Sequence, residues 1–140
     1  QAREQRACHS RARAKKVIVI DTCVWIEVLR GSKTGARYLH HWDAPEQIIV
    51  PTIVQYEIRK WCERNLDENA VLDAVSATRR CVVQPLTEQI ALNAAELSNR
   101  YVLAALDSLI YASALDADAN LISCDAHFKG LPNVQYDAKG

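Results

Sequence analysis

The chain is 140 residues long, 49% apolar and 24% charged, with 17 Lys and Arg balancing 17 Asp and Glu. That length suits one domain burying about two-thirds of its unfolded surface, and the apolar content excludes disorder of the whole. No apolar run approaches the roughly 18 residues of a membrane span, and the four glycines (31, 35, 130 and 140) build neither a GxGxxG nor a P-loop to cradle phosphates.

The zero net charge is a sum of unlike parts. Residues 1–16 carry Arg3, Arg6, Arg11, Arg13, Lys15 and Lys16 against Glu4, a net of +5, while residues 17–140 carry 11 basic and 16 acidic groups, a net of −5. An acidic body follows a basic leader, which lacks the apolar region of a secretory signal. The leader, 1–16, is expected to be disordered or appended, and 17–140 to be the functional domain. Five cysteines (8, 23, 62, 81 and 124) without a CxxC signal neither a disulfide framework nor a zinc knuckle. They are expected to pack as small hydrophobes, in a reducing, cytoplasmic setting.

Lys16 to Asp21 is a β-branched apolar run of strand length, apolar throughout and so expected to be a central strand buried on both faces. Thr22 to Arg30 reads as a helix stopped near Gly31, and 34–42 as a second helical stretch. Gln47 to Val50 is a second strand closed by Pro51. Residues 52–65 and 67–79 are helical by period. Cys81 to Gln84 is a third strand before Pro85, Thr87 opens a long helix to Tyr101, and 104–116 is another. Asn120 to Ser123 and Val134 to Tyr136 are the fourth and fifth strands. Strands alternating with helices predict an α/β domain with a largely parallel central sheet of four to five strands flanked by helices.

Most acids fall on solvated faces, but four do not. Glu57 sits among apolar positions 53, 54, 58 and 61, a slot that the helical period assigns to the core. Asp107 lies on the stripe marked by Leu103, Ile110, Tyr111 and Ala114. An inward carboxylate is costly unless paired, hydrogen-bonded or bound to a metal. Asp21 and Asp125 lie at the carboxyl ends of the first and fourth predicted strands, the edge where open α/β sheets bind ligands. Convergence of the four calls for hard cations, Mg²⁺ or Mn²⁺, which also suit phosphate substrates. Each acid has a plainer reading. Asp21 can cap the helix from Thr22, Glu57 can pair with Arg59, Asp107 can cap a helix starting later, and Asp125 can be a turn residue.

Four strings carry a resemblance: Val19-Ile-Asp21-Thr22, Pro51 through Glu57-Ile, Leu103-Ala-Ala-Leu-Asp107, and Leu121-Ile-Ser-Cys-Asp125-Ala-His-Phe128. In order and spacing the chain resembles the PIN domain, and more narrowly the VapC-type ribonuclease toxins of toxin–antitoxin systems, over about 17–136. The resemblance implies a three-layer sandwich and an endoribonuclease dependent on Mg²⁺ or Mn²⁺, with RNA as substrate. It also implies homodimerisation and a cognate antitoxin that blocks the site. Asp21, Glu57, Asp107 and Asp125 match the family's acidic quartet as catalytic and metal-holding residues, with Thr22 and Ser123 in support. Cys23 stands where Ser or Asn is frequent, and His127 where a second acid is common. Cys23 and Cys124 read as packing residues and His127 as a surface residue after a turn.

An acidic cluster repels RNA, so basic groups must surround it. Arg30, Lys33 and Arg37 follow the first helix. Arg59, Lys60 and Arg64 fall on the outward side of the Glu57 helix. Trp25 and Trp61 fit apolar stripes and are expected in the core, while Trp42, beside His40 and His41, reads as a surface feature. A haloacid-dehalogenase phosphatase needs a second Asp where Cys23 stands, and a receiver domain needs paired early acids. Two other readings remain open: a PIN-like module that binds RNA or protein without catalysis, and a housekeeping PIN nuclease.

Overall fold

One reversal of winding direction decides this fold. A computed structural model describes residues 16–140; the leader through residue 15, with Cys8, lies outside the described residues. The strands are β1 (Ile18–Ile20), β2 (Ile48–Pro51), β3 (Val82–Gln84), β4 (Asn120–Ser123) and β5 (Val134–Tyr136), in one parallel sheet ordered β3-β2-β1-β4-β5. The chain steps outward from β1 to β3, crosses back over the sheet, and lays β4 on the free side of β1. The switch of winding direction therefore falls between β1 and β4.

The central strands form because their apolar runs have no polar face to leave in water. Val19, Ile20, Ile48, Val50 and Leu121 are fully buried, and the register sets Val19 beside both Ile49 and Leu121. Burying such a side chain contributes about 1.5–3 kcal/mol, whereas an exposed helical ion pair such as Arg59–Glu63 or Arg100–Glu96 contributes about 0.3–0.5 kcal/mol. The sheet core, not the surface charge, holds the domain together. Val82 and Val83 are exposed because β3 is an edge.

Among the described residues six α-helices flank the sheet: α1 (Thr22–Leu29), α2 (Lys33–Ala36), α3 (Thr52–Asn65), α4 (Glu68–Arg79), α5 (Glu88–Tyr101) and α6 (Ala105–Asp116). Side-chain caps mark their starts. Asp67 Oδ1 accepts from the Ala70 N–H at 2.8 Å, and Thr87 Oγ1 from the Ile90 N–H at 3.2 Å. Helix α5 packs on α6, α3 on α4, and α1 on α2. This is the α/β sandwich expected from the sequence.

The stretch expected as one helix over 34–42 is broken. Helix α2 has four residues and is followed by a 3₁₀ turn over Leu39–Asp43. Gly35 lies against the backbone of Glu27 and Val28 in α1, where a Cβ would collide with the Glu27 carbonyl group, so the segment stays short and tied to α1. Trp42 in that turn is not a free surface ring. It meets the buried Trp25 edge-on, with ring centres 4.8 Å apart. Trp25 is in the core as expected, but Trp61 is only half-buried.

Gly35→Ala should lower the unfolding free energy by about 1–3 kcal/mol through overpacking against α1, read as a lower urea midpoint with an unchanged m-value.

Candidate active site

Asp21 leaves β1 with its N–H still donating to Ile122 O of β4 at 2.9 Å, so the central ladder runs one residue past the strand and sets the carboxylate at the switch point. The residue is 3% exposed. Its Oδ1 accepts from the Thr22 N–H at 2.8 Å and caps α1. Its Oδ2 accepts from Ser123 Oγ at 2.7 Å and from the Cys23 thiol at 3.4 Å. Cys23 is therefore more than a packing residue. Its sulfur also accepts from the Cys124 N–H at 3.4 Å, tying the start of α1 to the end of β4.

Ser123, fully buried, joins two of the acids. The same hydroxyl that donates to Asp21 accepts from the Asp125 N–H at 2.9 Å. Asp125 in turn caps a 3₁₀ turn, its Oδ1 accepting from the His127 N–H at 2.9 Å and lying 3.0 Å from His127 Nδ1. The turn reading of Asp125 is thus met by a carboxylate that also faces the switch point.

Asp107 and Glu57 arrive on helices. Asp107 is half-buried in the first turn of α6, where the helix dipole favours a negative charge; the N-cap is Ala104, so Asp107 does not cap the helix. Glu57 is half-buried at the border of the α3 core stripe rather than within it, because Val54, Ile58 and Cys62 fill that stripe. Its Oε1 accepts from Thr22 Oγ1 at 2.8 Å, while Arg59 pairs with Glu63 instead.

The electrostatics of this edge are unfavourable to bare carboxylates. Burial, then the Cys23 sulfur, hold the Asp21 carboxyl well above the usual carboxylate range, against the Ser123 hydrogen bond. Burial, then the charges of Asp125 and Glu57, push Asp107 up, and His127 opposes them. Groups raised in this way contribute stability at low pH that is lost as pH rises through their folded values. A cation among them offsets that loss. Asp107, Asp125 and His127 offer ligand atoms all within 4.8 Å of one another, the one such set among the described residues. Asp21 and Glu57 stand outside it, joined to it through Ser123 and through the charge on Asp107. A donor set of carboxylate oxygens with one imidazole fits a small divalent cation.

Beside the acids runs a groove of about 280 Å³ between α1 and α3, lined by Thr22, Ile26, Glu57, Lys60, Trp61 and Arg64 among others. Lys60 and Arg64 therefore share the face of Glu57 rather than lying on its outward side, as spacings of three and seven residues from Glu57 require. Arg59 lines a separate cavity with Glu63. The other basic candidates lie at the far end of α1, about 12 Å of helix from Asp21. There Arg30 pairs with Glu27 at 3.3 Å, Arg37 donates to Ala138 O at 2.9 Å, and Lys33 begins α2.

A family model described as the PIN domain matches residues 18–133. The chain belongs to the PIN domain family. Among solved structures, this PIN domain is similar to a toxin–antitoxin complex from Klebsiella pneumoniae, with TM-score 0.74 and 22% identity over 84% of this chain and 95% of that one. It is similar to VapC20, a sarcin-ricin loop cleaving toxin from Mycobacterium tuberculosis, with TM-score 0.70 and 18% identity over 82% and 95% of the two chains. A third is VapBC2 from Rickettsia felis bound to a promoter DNA fragment, with TM-score 0.68 and 14% identity over 87% and 98%. At these identities the likeness is one of fold, and the fold is that of VapBC toxins. A search of curated protein sequences returned no significant match.

Two contributors were hard to read from the chain. His127 reads as a surface residue, and its side chain is indeed 76% exposed, yet it closes on Asp125; the signal is the Asp-x-His spacing across a turn after a strand. Trp61 fits the apolar stripe of α3, but its position four residues from Glu57 puts it on the groove.

Ser123→Ala should cost about 1–3 kcal/mol, because it leaves the Asp125 N–H without its acceptor and removes a donor from buried Asp21; denaturant unfolding with retained secondary structure checks this.

Proposed function

We propose that this PIN domain is a divalent-metal-dependent endoribonuclease, the toxin of a type II toxin–antitoxin pair acting in the cytoplasm. The observation that carries this reading is the meeting of Asp107 and Asp125, with Asp21 and Glu57 beside them, at the switch point of a parallel sheet. Asp21, Glu57, Asp107 and Asp125 would hold Mg²⁺ or Mn²⁺. When bound, such an ion supplies a water of lowered pKa and offsets charge developing on phosphoryl oxygens.

The chain's own residues do the rest. Thr22 holds the Glu57 carboxylate, and Ser123 fixes Asp21 relative to Asp125. Lys60 and Arg64, on the rim of the groove, attract phosphates that the acids would repel. Trp61 on the same rim offers a ring for base stacking. Hydrolysis adds water across a phosphodiester: an oxygen bonds to phosphorus, one P–O ester bond breaks, and the leaving oxygen takes a proton.

The likeness to a sarcin-ricin loop cleaving toxin supports RNA as the substrate, and the likeness to toxin–antitoxin complexes supports a cognate antitoxin protein as partner. Residues 17–140 would form the nuclease, with the basic leader outside it, and the active form would be a homodimer. Among the described residues no helix is long and apolar enough to cross a membrane.

Asp21→Asn and Asp107→Asn should each abolish Mg²⁺- or Mn²⁺-dependent RNA cleavage while the circular dichroism spectrum is kept, and EDTA should silence the unsubstituted chain. Full activity in either variant, or cleavage indifferent to EDTA, refutes the reading. Replacing Lys60 and Arg64 together with Ala should weaken RNA binding and reduce the slope of log affinity against log salt by about 1.4, the value for two single-strand phosphate contacts.

A further inference from the structure

Within the group formed by Asp107, Asp125 and His127, the four-acid reading leaves His127 unassigned. His127 lies in the 3₁₀ turn Ala126–Phe128 that follows β4. The turn holds its ring in place. Asp125 Oδ1 accepts from the His127 backbone N–H at 2.9 Å and lies 3.0 Å from the ring Nδ1. The ring is therefore pinned on the acid although its side chain is 76% exposed and little else covers it. The separation is informative. Two adjacent ligands on an octahedral ion, each about 2.1 Å from it, stand about 3.0 Å apart. Asp107 completes the group, with all three ligand atoms within 4.8 Å of one another.

An ion pair alone would explain the His127–Asp125 contact, but it would not call for Asp107 at the same spot. Three donors converge from two elements, the first turn of α6 and the turn after β4, and one of them is nitrogen. Mg²⁺ demands oxygen ligands in near-ideal octahedral geometry and gives up its waters reluctantly, whereas imidazole is a better ligand for the first-row transition metals. Of the two ions that the carboxylates call for, Mg²⁺ and Mn²⁺, it is Mn²⁺ that accepts nitrogen alongside oxygen.

We propose that His127 supplies a nitrogen ligand to the cation held by Asp107 and Asp125, and that it makes the site select Mn²⁺ over Mg²⁺. This inference rests on the metal-dependent reading above and assigns a selectivity residue within that same site.

The test uses the full chain and Mn²⁺ alone as the probe, with no RNA. Electron spin-echo spectroscopy of bound Mn²⁺ should show modulation from directly coordinated ¹⁴N, and His127→Ala should abolish it. Calorimetric titration should show the Mn²⁺-to-Mg²⁺ affinity ratio falling by about tenfold or more in His127→Asp, which puts an oxygen donor at the same position. The exposed side chain makes both variants safe for folding. Mn²⁺ bound to the unsubstituted chain without ¹⁴N modulation, or an unchanged ratio in His127→Asp, overturns the nitrogen ligand and leaves the metal reading standing. Failure of the unsubstituted chain to bind Mn²⁺ at all overturns both.

Discussion

The buried carboxylate of Asp21 must be stabilised without a basic partner, since among the described residues no Lys, Arg or His pairs with it. An unsatisfied buried carboxylate costs several kcal/mol. The fold answers with three donors, the Thr22 N–H, the Ser123 hydroxyl and the Cys23 thiol. Two come from the junction of β1 with α1, and the third comes from β4, which reaches β1 only because the chain crosses back over the sheet through α5 and α6. The register of Ile20 opposite Ile122 then places Ser123 within reach of Asp21. A slip of one residue would turn that hydroxyl to the other face of the sheet, so the central ladder and the site stand or fall together.

Helix α1 carries a buried carboxylate near each end, and the contrast between them separates structure from chemistry. Glu27, 6% exposed, is satisfied within the protein. Its carboxylate accepts from Ser32 Oγ at 2.6 Å and pairs with Arg30 at 3.3 Å, with Lys139 at 4.0 Å. Asp21, at the other end, has hydrogen bonds but no countercharge among the described residues, and the charge of Asp107 acts against its ionisation. A carboxylate left in that state by the protein is one that an external cation can complete. Glu27 shows that the same chain can neutralise a buried acid internally.

The groove beside the acids adds the opposite charge on a fixed spacing. Glu57, Lys60, Trp61 and Arg64 recur at three, four and seven residues along α3, so one helical face presents a carboxylate toward the switch point and cations farther along the groove. The Thr22–Glu57 hydrogen bond holds α3 in register with α1. Local attraction for phosphate and local affinity for cations can therefore coexist in a body whose described part is acidic overall.

Periodicity and strand composition were enough to predict the alternation of strands and helices and the parallel sheet, because burial on both faces leaves a continuous apolar run; they also singled out Glu57 and Asp107 near helical stripes and Asp21 and Asp125 at strand ends. Those signals are local. They did not predict that 34–42 would break after Ala36, that Glu57 would lie at the border of its stripe, or that Lys60 and Arg64 would turn toward the acids, because each depends on which neighbouring helix closes over the segment. The chain by itself determined which residues could not be left in water and which carboxylates lie on helical stripes or at strand ends. Only the tertiary structure decided that Ser123 bridges Asp21 and Asp125 and that His127 closes on Asp125 beside Asp107. Those contacts join segments up to a hundred residues apart, and distance in the chain carries no information about distance across a sheet.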